Sequence, residues 1–235
     1  ATIGIVLNYT QAEAYNDTPA DMQAARYQDG YINRWFLDPV FRGEYPADMV
    51  ELYGDRMQGI DTSEVSAAAV PVDFLGLNYY TRNCMTAAPN NPILPVAEVT
   101  PAYMDYTTMN WQVYPEGIRK MLMRVHRDYH PSAIYVTENG SAWDDPKPVN
   151  GLVDDPNRVA YLSSHLKAIE AAIDSGVPLK GYFAWSLMDN FEWAFGYSQR
   201  FGIIHVDYET QKRTWKQTAR YYKNVIAANA VVEKG

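Results

Sequence analysis

Four short apolar runs constrain what this chain can build: IGIVL at residues 3–7, FLGL at 74–77, IYVT at 134–137 and GYFAW at 181–185. None alternates cleanly between apolar and polar side chains, so each reads as a buried strand of a parallel sheet. Each is followed, sooner or later, by a segment of helical period. After the first, Thr18 can cap and Pro19 can open a helix to about Phe36, with Met22, Ala25, Ile32 and Phe36 roughly in phase. Pro115 opens a second in which Ile118, Met121, Leu122 and Val125 share a face. Asp155-Pro156 starts a third, with the stripe Leu162, Leu166, Ile169 and Ile173 and a stop at Gly176, and a last helix spans about 214–230. Residues 82–110, with four prolines, read as irregular and exceed the roughly 12–15 residues of plain loops, so they are expected to border an entrance.

Strands alternating with helices predict an α/β fold, either doubly wound or a barrel. No glycine-rich phosphate loop follows any strand. All four strands end instead in polar or aromatic residues: Asn8, Asn78-Tyr79-Tyr80, Glu138-Asn139 and Trp185-Ser186. Side chains gathered at the C-terminal ends of successive strands are the arrangement of a TIM-type (β/α)8 barrel. Such a barrel needs eight units and only four are legible, so the expectation is an incomplete half-barrel forming a single domain over residues 1–235. The first strand starts within two residues of the N-terminus, as in a chain cut at a sheet edge, and such an edge invites pairing with another chain.

Charge and composition exclude several functions. With 20 Lys and Arg against 28 Asp and Glu, the chain carries −8 and lacks the basic stripe that phosphate backbones require, so nucleic acid is not an expected partner. No apolar run approaches the roughly 18 residues of a membrane span, so no membrane partner is expected; no signal-like leader precedes the first strand, but any signal would have stood at the absent N-terminus, so the compartment is left open with the cytoplasm favoured. Cys84 stands alone. His126 and His130 lie four apart, but no Glu adjoins His126 and Pro131 follows at once, so they read as helix-end residues; His165 and His205 read as structural. No metal or other cofactor is expected. The informative excess is aromatic: 19 Tyr, 6 Trp and 7 Phe, several beside acids and amides. That mixture suits sugars, whose C–H faces pack on rings while their hydroxyls take polar partners.

Glu138 at the tip of the third strand is the central candidate. In a barrel, Tyr80 of LNYYT, Trp111 of NWQVYPEG, and Trp185, Asp189, Asn190, Glu192 and Trp193 of WSLMDNFEW would converge with it on one mouth. Together with GIVLN, NRWFLDPVFRGEYP, DFLGLNYYT, YPEG, YVTENG and the tail RFGIIHVDYETQKR, these segments resemble the β-glucosidases of glycoside hydrolase family 1, from residue 3 to about 229. The family is made of retaining enzymes on (β/α)8 barrels, and the chain corresponds to its second half, strands five to eight.

The resemblance implies that Glu138 is the nucleophile and that Tyr80 donates a hydrogen bond favouring its charged form. It makes Trp185 the floor beneath the sugar ring, Glu192 and Trp193 the pair that binds the remote hydroxyls, Trp111 the platform for the leaving group, and Asn78 an orienting neighbour. A carboxylate at Glu192 would repel a sugar 6-phosphate, which favours unphosphorylated β-glucosides or related saccharides. Asn33-Arg34-Trp35 and the segment 42–46 are expected to be scaffold, and Asp189-Asn190 either turns a loop or touches sugar. The family's second carboxyl comes from an Asn-Glu-Pro segment, which does not occur here. The expected partner is therefore the N-terminal half of the barrel, with little turnover by this chain alone. Two alternatives stay open: a non-catalytic half-barrel that pairs with a second copy of itself and binds sugars, and an inverting hydrolase using Glu138 with Asp189.

Overall fold

In the computed structural model, which describes residues 1–233, each of the four apolar runs falls in a strand, apart from the end residues Ile3 and Trp185. The elements are β1 (Gly4–Ala14), α1 (Pro19–Asp29), α2 (Trp35–Arg42), α3 (Ala47–Tyr53), β2 (Phe74–Ala87), β3 (Val96–Val99), α4 (Pro115–Tyr129), β4 (Ile134–Asn139), β5 (Leu152–Val153), α5 (Pro156–Asp174), β6 (Leu179–Ala184), β7 (Ile204–Val206), β8 (Arg213–Lys216) and α6 (Gln217–Ala228). The main sheet runs β1-β2-β4-β6 with every neighbour parallel, and β3 adds antiparallel to β2. A small sheet, β5-β8-β7, lies beyond β6. This is half of a TIM-type barrel: four βα units in order, β1–α1/α2, β2–α4, β4–α5 and β6–α6.

The two faces of the main sheet differ sharply. On the helix side Leu75, Leu77, Ile134 and Val136 are fully buried against Ile118, Met121, Leu122 and Val125 of α4 and Leu162, Leu166 and Ile169 of α5. Each such side chain contributes about 1.5–3 kcal/mol of burial free energy. The α4 stripe emerges as its period predicts. The opposite face is open, with Val6 49% and Phe183 56% exposed. The expectation of strands buried on both faces therefore fails for this side, because no described element packs over it.

Other expectations are corrected by tertiary structure. Thr18 does cap α1, its hydroxyl accepting from the Asp21 N–H at 3.2 Å. The helical path, however, continues through a π turn at Gly30–Arg34 into α2. Within α1 the buried apolar positions are Ala24 and Ala25 while Met22 faces solvent, and beyond the wider turn Leu37 is buried while Phe36 faces solvent. Ile173, on the last turn of α5, is exposed, and Ala172 takes the final buried position. Thr214 lies in β8, because residues 204–216 form an antiparallel hairpin before α6 begins at Gln217. Strands β1 and β2 do not stop at residues 7 and 77: beyond a register shift between Tyr9 and Gln11 they pair on to Ala14 and Met85. The start of the segment 82–110 is thus regular, β2 reaching Ala87 and pairing with β3.

The scaffold motifs have direct physical roles. Asn33 bridges the slip in β1, its amide donating to Thr10 O at 2.9 Å while its Oδ1 accepts from Thr10 N at 3.1 Å. Arg34 joins Asp29 and Asp48, and Trp35 stacks on Tyr45 with centroids 4.2 Å apart.

Candidate active site

The ladders on both sides of β4 slip where Glu138 stands. The β2–β4 register shifts between Leu77 and Asn78, and the β4–β6 register between Val136 and Asn139. Irregularities of this kind re-aim side chains. Here Glu138 lines a cavity of about 1030 Å³, at the upper end of the range for ligand pockets. The next residues complete the local logic. Asn139 is fully buried and hydrogen-bonds its neighbours, and Gly140 passes so close to β6 that an added Cβ would lie 1.7 Å from Trp185 O. Only glycine fits there.

Tyr80 and Asn78 reach the same cavity from β2. The Tyr80 hydroxyl donates to Glu138 Oε2 at 2.6 Å, the length of a charge-assisted bond. Burial, then that bond and the charge of Glu138, hold the Tyr80 phenol far above its ordinary pKa, so it retains its proton to donate. Its ring is wedged between Trp111 and Phe201, at centroid distances of 5.2 and 6.1 Å. Asn78 pairs in register with Glu138, accepts from Thr137 Oγ1 at 2.7 Å and donates to Asn8 Oδ1 at 2.9 Å.

The third wall comes from the loop after β6. Trp185, Glu192 and Trp193 line the cavity, as do Glu98, Tyr106 and Asn110 from the segment expected to border the entrance. Glu192 is buried and its Oε2 takes no hydrogen bond within the described protein. Burial raises its carboxyl pKa; contact with Trp185 works against this, and the charge of Glu138 adds to it. Trp193 is 83% exposed at the mouth. Seven of the side chains named from the sequence, Asn78, Tyr80, Trp111, Glu138, Trp185, Glu192 and Trp193, therefore share one cavity, in which a phenol is hydrogen-bonded to a carboxylate.

Asp189 does not join them. It lines a separate recess with Met188 and Tyr208, and it accepts from Lys216 at 2.8 Å, Arg200 at 2.5 Å and the backbone N–H of Gly202 at 3.0 Å. A carboxylate consumed in this way orders the loop, which overturns its pairing with Glu138 in an inverting mechanism. Asn190 likewise braces the turn, accepting from Ser186 Oγ at 2.9 Å. Sequence reasoning missed Phe201, Gln112 and Asn8 in the cavity wall. Asn8 had the strand-end signal, Gln112 adjoins Trp111 in NWQVYPEG, and Phe201 falls in the tail motif RFGIIHVDY, so each carried a signal that was not followed to the cavity. Among the described residues no group of three or more His, Cys, Asp or Glu is gathered as a metal site would need.

The family model for glycosyl hydrolase family 1 matches residues 1–231. A 1,4-beta-D-glucan glucohydrolase of Thermotoga neapolitana is 41% identical over 232 residues, 98% of this chain and 52% of the relative. The solved family 1 β-glucosidase of Thermotoga maritima superposes with a TM-score of 0.94 at 40% identity, over 99% of this chain and 52% of that one. The Thermotoga maritima β-glucosidase in complex with glucoimidazole gives 0.92 at 41% identity, over 97% and 51%. The chain thus spans about half the length of the relatives it matches.

Proposed function

The chain belongs to glycosyl hydrolase family 1, and from that membership we propose that it is the nucleophile-bearing half of a retaining β-glucosidase. Glu138 attacks the anomeric carbon as the bond to the leaving oxygen breaks, giving a covalent glycosyl-enzyme that water then hydrolyses. Tyr80 steadies the carboxylate before attack. Trp185 lies beneath the ring, where a π face also suits oxocarbenium-like charge. Glu192 and Trp193 take the remote hydroxyls, a role supported by the buried, unpartnered Oε2 of Glu192. Trp111 carries the leaving group and Asn78 orients the site. The complexed relative supports a saccharide as ligand.

A retaining mechanism needs a second carboxyl about 5–5.5 Å from the first, as acid and then as base. The other carboxylates lining the cavity are ill suited: Glu192 is committed to the far hydroxyls, and Glu98 is exposed on β3 and held by Asn83 at 2.7 Å. The acid then comes from the complementary, N-terminal half of a barrel, packed on the open face of the main sheet. The relatives' double length and the exposed Val6 and Phe183 support this partner.

The observation that carries the reading is the Tyr80–Glu138 hydrogen bond at the cavity wall, among three indoles. Hydrolysis of an aryl β-glucoside, measured for the chain alone and mixed with a complementary half, tests it. Little turnover is expected alone and clear turnover when mixed, abolished by Glu138→Gln; turnover untouched by that substitution would refute it. The open apolar face also favours a second reading, a half-barrel that pairs with its own copy, which a monomeric mass in sedimentation would exclude.

A further inference from the structure

Behind the reactive pair, on the side away from the cavity, a hydroxyl and an amide replace the interrupted ladder. Asn139 is fully buried, and its Nδ2 donates to Tyr79 O at 2.8 Å and to Tyr161 Oη at 3.1 Å. Its Oδ1 accepts from Tyr182 Oη at 2.8 Å, and its backbone carbonyl accepts from the Trp185 N–H at 2.9 Å. Tyr161, buried on α5, donates in turn to Tyr80 O at 2.9 Å. One phenol oxygen therefore touches both the backbone of Tyr80 and the residue next to Glu138. These bonds sit at the two register shifts, where the backbone ladder cannot hold the strands itself.

We infer that Tyr161 and Asn139 are positioning residues that set the distance between the Tyr80 hydroxyl and Glu138. The inference rests on the proposed roles of that pair. The physical argument is one of lost constraint. A 2.6 Å bond between side chains on neighbouring strands requires those strands to be fixed relative to each other at that residue, and a bulge removes the usual fixing. Tyr161 supplies it from a helix whose own position is set by the core. Its ring is held independently, stacked on His165 with centroids 3.8 Å apart, so removing the oxygen need not displace the ring.

The test is Tyr161→Phe, read in two ways. In the crystal structure of the variant chain, Tyr80 Oη and Glu138 should move beyond hydrogen-bond reach or occupy more than one arrangement; a pair unchanged at its present distance would overturn the inference. In the chain mixed with its complementary half, kcat should fall about tenfold with KM within twofold, the loss of one buried bond that matters only as the nucleophile attacks. The effect should be less than additive with Tyr80→Phe, and full additivity would overturn the inference. Should Tyr161→Phe fail to fold, Tyr182→Phe removes the donor on the other side of Asn139 and carries the same two readouts. Turnover that survives Glu138→Gln would sink the nucleophile reading instead, and the crystallographic comparison would still decide whether Tyr161 sets the geometry.

Discussion

Lys216 Nζ lies 2.8 Å from Asp189 Oδ1, and neither side chain is reached by water. Lys216 also pairs with Asp145, which Arg158 shares at 2.8 Å, while Arg158 reaches Asp155 at 2.6 Å and Arg200 reaches Asp189 at 2.5 Å. Three cations and three anions thus balance, tying the loop after β4, helix α5, the loop after β6 and strand β8 into one unit. Removing a single member strands its partners' charges in a medium that cannot solvate them. Lys216→Met should therefore cost about 3–5 kcal/mol. Urea unfolding is the measurement, and a midpoint equal to that of the parent would show the network to be energetically idle.

Tyr80→Phe keeps the ring between Trp111 and Phe201 and deletes only the donor to Glu138. A hydrogen bond to a charged group contributes about 1.5–3 kcal/mol, so kcat/KM for an aryl β-glucoside should fall roughly 10- to 100-fold in the reassembled barrel. Thermal stability should change little. A variant as fast as the parent would mean that the phenol does not serve the carboxylate.

Glu192 is held at a cost to the fold, which sets stability against binding. Its folded pKa is raised, by burial first, with Trp185 opposing and Glu138 adding. The folded state then binds the proton more tightly than the unfolded chain, so stability falls as pH rises through the window between the two pKa values, and the penalty is complete above the folded one. Glu192→Gln removes it. The variant should melt higher than the parent at pH 8 and equally at pH 3.5, while KM for the glucoside rises about tenfold through the lost charged acceptor. Equal melting temperatures at both pH values would contradict the raised pKa.

What could be read from residue order follows the range of the interactions concerned. The α4 stripe and the strand starts at Phe74 and Ile134 are local matters of period and capping, and both emerge as expected. Glu138 was legible because a strand that ends in a carboxylate, an amide and a glycine is chemically odd. The π turn at Gly30–Arg34 was not, because it depends on Arg34 meeting Asp29 and Asp48 and on Gly30 lying against Met49. Tyr161 and Lys216 were invisible for the same reason: each acts on a residue tens of positions away, and nothing in its own neighbourhood marks it.

His165 gives that hidden layer a pH dependence. Its Nδ1–H donates to Tyr161 O at 2.8 Å, and its Nε2 is buried without a partner. Burial lowers its pKa from 6.5 to about 4, the bond to Tyr161 opposing. The unfolded chain therefore takes up a proton between those values while the folded chain does not. The neutral imidazole's contribution, about 3 kcal/mol, is present above pH 6.5 and is lost as pH falls to 4. Carboxylates paired in the fold, such as Asp29, also lose stabilisation in acid, so the parent alone cannot isolate the histidine. His165→Asn keeps a donor toward Tyr161 and does not titrate. Between pH 6.5 and 4 the parent should lose about 3 kcal/mol more unfolding free energy than this variant, whereas parallel curves would mean the imidazole charges in place.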